Sequence, residues 1–173
     1  MSKTRVFLTL TGYQLTWLGC VFGENKFNEP LLGIYVGIIY LLLYFYFNKN
    51  KINFLKISLY ISIPGYIFDT LIVYFGIYEF NASLIIGTIP SWMIILWLSF
   101  ATLFDEIFRI FMKYKFIGVL LSSFLAPITY YLGEPIGIIS INNVLLFFTV
   151  MILFWALLMI YYLEIILKKT NFQ

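Results

Sequence analysis

The residues that could do chemistry are few, and most of them lie on one predicted helix. Ser99, Thr102, Asp105, Glu106 and Arg109 fall within an arc of about 120° when turned at about 100° per residue. Asp105 and Arg109 are four apart and Glu106 and Arg109 three apart, so both carboxylates can reach the guanidinium. Two acids sharing one base leave one carboxylate under-compensated, and such a group is a candidate proton carrier or general acid. The competing reading is a structural ion triad near the headgroups of a membrane. Asp69 stands apart, mid-way along another apolar run and one turn after Pro64-Gly65. Ser122 and Ser123 are expected near Asp105 in depth and are candidate partners. Together Asp69, Asp105, Glu106, Arg109 and Ser122 form the candidate polar pocket. Glu164, with Lys168 four residues on, reads as an interfacial ion pair.

Chemistry is further bounded by what the chain lacks. It has no His and one Cys, which removes the commonest general base, the commonest metal ligand and any intramolecular disulfide. No nucleotide loop, metal motif or nucleophile elbow occurs in the sequence. Neither a metal nor a cofactor is therefore expected.

The elements that carry these residues belong in a bilayer. The chain has 173 residues, of which 62% are hydrophobic and 11% charged, against about 45–50% and about 25% for an average soluble domain. Mean hydropathy is +0.96. This composition excludes a soluble enzyme, a disordered chain and a nucleic-acid binder. About 20 mostly apolar residues cross a hydrocarbon core. Six stretches qualify, at about 6–22, 31–47, 57–78, 91–112, 116–132 and 144–167. The expected fold is an all-α polytopic integral membrane protein, one transmembrane domain over residues 1–173. Strands are not expected, because the runs do not alternate.

Basic residues set the orientation. Lys3, Arg5, Lys49, Lys51, Lys56, Arg109, Lys113, Lys115, Lys168 and Lys169 fall on one side, and Lys26 falls on the other with Glu24, Glu29, Glu79 and Glu134. The positive-inside rule makes the first side cytoplasmic, with both termini there. The expected location is the bacterial inner membrane, and lipids are the expected partners. Trp17-Leu18-Gly19-Cys20 loosely resembles a lipoprotein cleavage box, which would leave five helices and a lipidated Cys20. Trp17 at that place, and Thr9, Thr11, Gln14 and Thr16 before it, fit a signal segment poorly.

Small residues at three- and four-residue spacing mark packing seams. Helix 1 carries Thr9, Gly12, Thr16, Gly19 and Gly23, and helix 2 carries Gly33, Gly37, Tyr40 and Tyr44. Helix 3 carries Ser58, Ser62, Gly65, Asp69 and Gly76. The short link Lys113-Tyr114-Lys115 predicts that helices 4 and 5 pack as an antiparallel pair.

Several runs together resemble a known family. They are Gln14-x-x-Trp17-x-x-Cys20-Val21-x-Gly23, Gly65-x-x-x-Asp69-x-Leu71, Pro90-x-Trp92-Met93-x-x-Leu96-Trp97-x-x-Phe100-Ala101-Thr102, Arg109, and Pro127-x-x-Tyr130-Tyr131-x-Gly133. Their order resembles domain-of-unknown-function family 2878, small multi-pass bacterial inner-membrane proteins, over roughly residues 10 to 140. The resemblance implies Gln14, Trp17, Asp69, Trp92, Trp97, Arg109, Pro127 and Tyr130 as site residues. The family pattern has Asn-His where this chain has Asp105 and Glu106. Gln14 and Trp17 lie opposite the glycine stripe, so helix 1 is expected to be contacted on two sides.

Three functions fit these features. One is a binding or transport module for a small molecule or lipid. The second is a lipid-modifying membrane enzyme using Asp105 or Glu106 as acid or base. The third is a scaffold for other membrane proteins. A cavity at Asp69 and Trp97 favours the first, carboxylates open at the cytoplasmic headgroups the second, and a dry packed bundle the third.

Overall fold

A computed structural model describes residues 3–170. The terminal residues, on which the expectation of two cytoplasmic ends falls, lie outside that range. The described chain forms six main helices: α1 Lys3–Asn25, α2 Leu32–Phe47, α3 Lys51–Tyr74, α4 Trp92–Glu106, α5 Lys115–Tyr131 and α6 Val144–Tyr161. A 3-10 segment, Phe108–Met112, follows α4, while α6 continues through a π-helical stretch, Tyr162–Ile166, into a last turn, Leu167–Thr170. Lys3–Asn25, Lys51–Tyr74 and Val144–Lys169 are long and apolar enough to cross a membrane, and Leu32–Phe47 and Lys115–Tyr131 are shorter apolar helices. The fourth predicted stretch, 91–112, holds only 15 residues of α-helix before the 3-10 segment.

Local chemistry explains several of the ends. The Asn50 side chain caps α3 by accepting from the Asn53 N–H at 3.2 Å, and Asn143 caps α6 by accepting from the Leu146 N–H at 3.0 Å. The helices run alternately between a basic end, with Lys49, Lys51, Lys113 and Lys115, and a loop end formed by residues 75–91 and 132–143.

Strands occur at the loop end, contrary to expectation. β1 (Tyr78–Phe80) and β4 (Ile139–Ile141) pair antiparallel, with Tyr78 opposite Ile141, Glu79 opposite Ser140 and Phe80 opposite Ile139. β2 (Ile85–Ile86) and β3 (Ile89–Pro90) form a small hairpin in which Ile85 faces Pro90. Its two-residue turn opens on Gly87 at φ 69°, the left-handed conformation that such turns require. These ladders satisfy loop backbone groups that have no helix to bond within.

Close approach, rather than amphipathic patterning, decides which helices meet. A Cβ on Gly33 would lie 2.4 Å from the Cys20 backbone, so α1 and α2 touch backbone to backbone. The stripes of α1 and α2 are this seam: Thr9, Thr16, Gly23, Gly33 and Gly37 are buried. α4 is the central element, packed on α1, α2 and α3, and carries ten buried residues, among them Trp92, Trp97, Phe104, Asp105 and Glu106.

The expected pairing of helices 4 and 5 is not formed: α5 packs along α6 and meets the end of α4 through the 3-10 segment. The reason is local. Phe111 of that segment packs on Gly118, where a Cβ would lie 2.7 Å from it, and the turn carries α5 away from α4. A cleft is left between α1 and α4 on one side and α5 and α6 on the other.

Candidate functional site

The loop-end half of that cleft is aromatic. Trp17 and Tyr13 of α1, Trp92, Trp97 and Phe100 of α4, Tyr130 of α5 and Trp155 of α6 line a cavity of about 120 Å³, with Phe80, Ile138 and Ile139 as its roof. The chain contains four tryptophans, and all of them line this cavity. Trp97 and Trp155 stack at 5.6 Å and 17°, while Phe100 meets each of them edge-on, the arrangements aromatic quadrupoles favour. Toward the basic end the cleft widens into a second cavity of about 440 Å³, shared by Tyr13, Trp17, Phe100 and Trp155 and continued by Gln14, Phe104, Phe108, Phe111, Gly118 and Leu121. Gln14, Leu121, Leu125 and Thr129 are exposed and mark its open side. Helix 1 is packed by α2 along its glycines and by α4, where Tyr13 meets Phe100 at 5.4 Å, while Gln14 stands exposed at the cleft.

Asp69 stands directly behind the aromatic wall. It is fully buried and accepts three hydrogen bonds: from Tyr78 Oη at 2.7 Å, from Trp97 Nε1 at 2.7 Å, and from Tyr130 Oη at 3.2 Å to Oδ2. A buried carboxylate without such donors is strongly disfavoured. Gly65, one turn before Asp69, makes the geometry possible. A Cβ there would come within 2.4 Å of the Trp97 ring, so only glycine lets the indole lie flat enough on α3 to reach the acid. A second acid is arranged alike: Trp92 Nε1 donates to Glu24 Oε2 at 3.2 Å, and the Ser83 N–H donates to Glu24 Oε1 at 2.6 Å.

The helix 4 acids form a separate centre at the basic end. Asp105 accepts from Tyr44 Oη at 2.9 Å, Asn48 Nδ2 at 2.8 Å and Arg109 Nη2 at 3.0 Å. Glu106 pairs with Arg5 at 2.8 Å. Both acids are buried. One turn nearer the middle, Tyr40 bonds Thr102 at 2.7 Å and Thr102 donates to the Ser99 carbonyl at 2.6 Å.

Four expectations are therefore corrected. Arg109 is not shared; each acid has its own arginine, so neither is under-compensated. Their partners are Arg5 of α1, Tyr44 of α2, Asn48 just after it and Arg109 of the 3-10 segment, none from α5. Ser122 donates to the carbonyls of Val119 and Trp155 at 2.9 and 3.3 Å and belongs to the α5–α6 seam. Asp69 does not share a pocket with Asp105 and Glu106.

Of the residues implied by the resemblance, Trp17, Trp92, Trp97 and Tyr130 line the aromatic cavity, Gln14 lines the second, and Asp69 binds two of the wall residues. Arg109 lies in the other centre. Pro127 is buried within α5, three residues before Tyr130. Sequence reasoning missed Glu24, Tyr78, Tyr13 and Trp155 in the first centre and Arg5, Tyr44 and Asn48 in the second. The scarcity of tryptophan was the available signal for Trp155. Glu164 bonds Lys115 at 2.5 Å as well as Lys168 at 2.8 Å, tying α5 to the end of α6.

The class so defined is an all-α bundle, of a composition compatible with a membrane protein, with an aromatic cleft and two hydrogen-bonded carboxylate centres. The chain belongs to the family described as protein of unknown function (DUF2878), whose model matches residues 6–161. No curated protein and no solved structure matches it.

Proposed function

We propose that the protein is a six-pass protein of the bacterial inner membrane, both ends cytoplasmic, that binds a lipid or similar amphiphile in the cleft between α1 and α4 and α5 and α6. The carrying observation is that all four tryptophans line one cavity continuous with a larger apolar one. Concave, mostly apolar sites with a few convergent polar groups are the usual form of ligand pockets. The one-sided distribution of Lys and Arg supports the orientation. The exposed apolar faces of α2 and α5, with Ile39, Leu42, Phe116 and Leu125, which a soluble protein would not leave bare, support the membrane setting. In this orientation the aromatic cavity takes the polar end of an outer-leaflet amphiphile, and the second cavity takes its chain.

The enzyme reading is weaker, because Asp105 and Glu106 are buried and paired rather than open at the basic end. The scaffold reading is weaker because cavities interrupt the packing of the bundle.

The test uses the tryptophans themselves. The full chain is placed in vesicles of phosphatidylglycerol carrying brominated chains, and quenching of its fluorescence is compared with that of Trp97→Phe. Efficient quenching that falls when α5 is crosslinked to α1 through cysteines at Leu125 and Gln14 supports occupancy of the cleft by a chain. Quenching no greater than in non-brominated vesicles refutes it.

A further inference from the structure

The aromatic cavity has a sign as well as a shape. Its walls are ring faces, and ring faces carry partial negative charge. Behind two of those rings stand carboxylates, Glu24 at the Trp92 N–H and Asp69 at the Trp97 N–H. An indole that donates its N–H to an anion becomes richer in electrons on its face. Among the described residues, the ion pairs join Arg5 to Glu106, Arg109 to Asp105, and Lys115 and Lys168 to Glu164; none includes Glu24 or Asp69. The basic end gives Asp105, Glu106 and Glu164 each a cation. Three hydrogen bonds from neutral donors satisfy the oxygens of Asp69, and none of the ion pairs includes it.

A further observation concerns Trp155. It lines the cavity, is 4% exposed, and its Nε1 has no hydrogen-bond partner among the described residues. That nitrogen is itself enclosed by protein, so Trp155 meets an occupant through its ring.

From these features we infer that the cavity holds the ammonium end of an amphiphile. Cation–π recognition by an aromatic box is the established chemistry for alkylated ammonium groups. A cavity of about 120 Å³ is close to the roughly 150 Å³ that admits a benzene ring, which suits a group of that size and leaves the chain to the second cavity. Zwitterionic phospholipid headgroups and fatty ammonium compounds share this chemistry. The inference rests on the proposal that the cleft binds an amphiphile.

The probes are dihexanoyl phosphatidylcholine, dihexanoyl phosphatidylglycerol of the same chain length, and dodecyltrimethylammonium. Each is titrated below its micellar concentration into the full chain in nanodiscs, with tryptophan emission as the readout. The choline lipid is expected to bind at least tenfold more tightly than the glycerol lipid, and Glu24→Gln and Asp69→Asn are each expected to reduce that preference about threefold or more. Because Asp69→Asn disturbs a buried centre, Glu24→Gln, at a half-buried position, decides if the other does not fold. Competition by dodecyltrimethylammonium at similar concentration identifies the ammonium alone as the recognised group, and preference for the choline lipid over it identifies a zwitterionic headgroup. Equal binding of the choline and glycerol lipids overturns the inference while leaving the amphiphile site standing. So does a preference that both variants leave untouched. Failure of all three probes together with absent quenching by brominated chains overturns the amphiphile site itself.

Discussion

Removing one arginine at a time separates the two acids at the basic end. Arg5 is the partner of Glu106 at 2.8 Å, with side-chain exposures of 35% and 8%. Arg109 is the partner of Asp105 at 3.0 Å, with 37% and 5%. By exposure alone the pairs are equivalent. They differ in what remains after the cation is lost. Asp105 keeps the hydroxyl of Tyr44 and the amide of Asn48, whereas among the described residues Glu106 is bonded by Arg5 alone. Stripping the cation from a fully buried pair costs about 3–5 kcal/mol, while an exposed pair is worth about 0.2–1 kcal/mol. Cations this accessible place both pairs between those limits. Arg5→Ala is expected to destabilise by about 2 kcal/mol, and Arg109→Ala, with two neutral donors left on the acid, by about 1 kcal/mol. At about 2–4 °C per kcal/mol for a chain of this size, the corresponding losses in Tm are about 4–8 °C and about 2–4 °C. Thermal unfolding of the purified chain in detergent, followed by circular dichroism, measures both. Glu106→Gln in the Arg5→Ala background should recover most of the loss, because the amide needs no countercharge. A larger loss for Arg109→Ala than for Arg5→Ala, or no recovery in the double variant, would refute the assignment of one arginine to each acid.

Other outcomes follow from the packing. Gly65→Ala should drive Trp97 off Asp69 and lower stability by about 1–3 kcal/mol, with a change in near-ultraviolet dichroism; an unchanged spectrum would contradict the contact. Gly33→Ala should separate α1 from α2 and sharply reduce folded yield, whereas Gly76→Ala, with open space around it but φ at 66°, should cost only about 1–2 kcal/mol of backbone strain. Cys20, 1% exposed against Gly33, should resist maleimide in the folded chain and react on denaturation, and its mass should carry no lipid. Reporter fusions after Lys51 and Lys115 should read cytoplasmic, and those after Glu79 and Glu134 periplasmic; the reverse pattern would invert the proposed orientation.

The helices were legible because each is a long apolar run bounded by Gly, Pro, Asn or Lys. Their neighbours were only partly so. The glycine stripes marked the faces of α1 and α2 that pack, since backbone contact needs small residues at fixed spacing, but did not say that these two faces meet each other. The short link after α4 misled, because a 3-10 turn redirected α5 toward α6. Asp105 was legible as a buried acid, but its donors were not: Tyr44 and Asn48 lie 61 and 57 positions away, and on an apolar helix a tyrosine that bonds an acid looks like one that faces lipid. Arg5 registered only as one of several basic residues marking an end. Strands of two and three residues leave no periodic signal at all.

The two carboxylate centres also differ in when a growing chain can finish them. Every partner of Asp105 and Glu106, from Arg5 through Tyr44 and Asn48 to Arg109, belongs to the first 109 positions. The α1–α4 unit can therefore balance its charges before α5 emerges. The centre at Asp69 must wait for Tyr130, and the strand that closes the loop end waits for Ile139–Ile141. Chains emerge from the N-terminus, so α3 enters its final environment with Asp69 one donor short. The aromatic cleft is the last part of the molecule to be assembled, built against a half that is already complete.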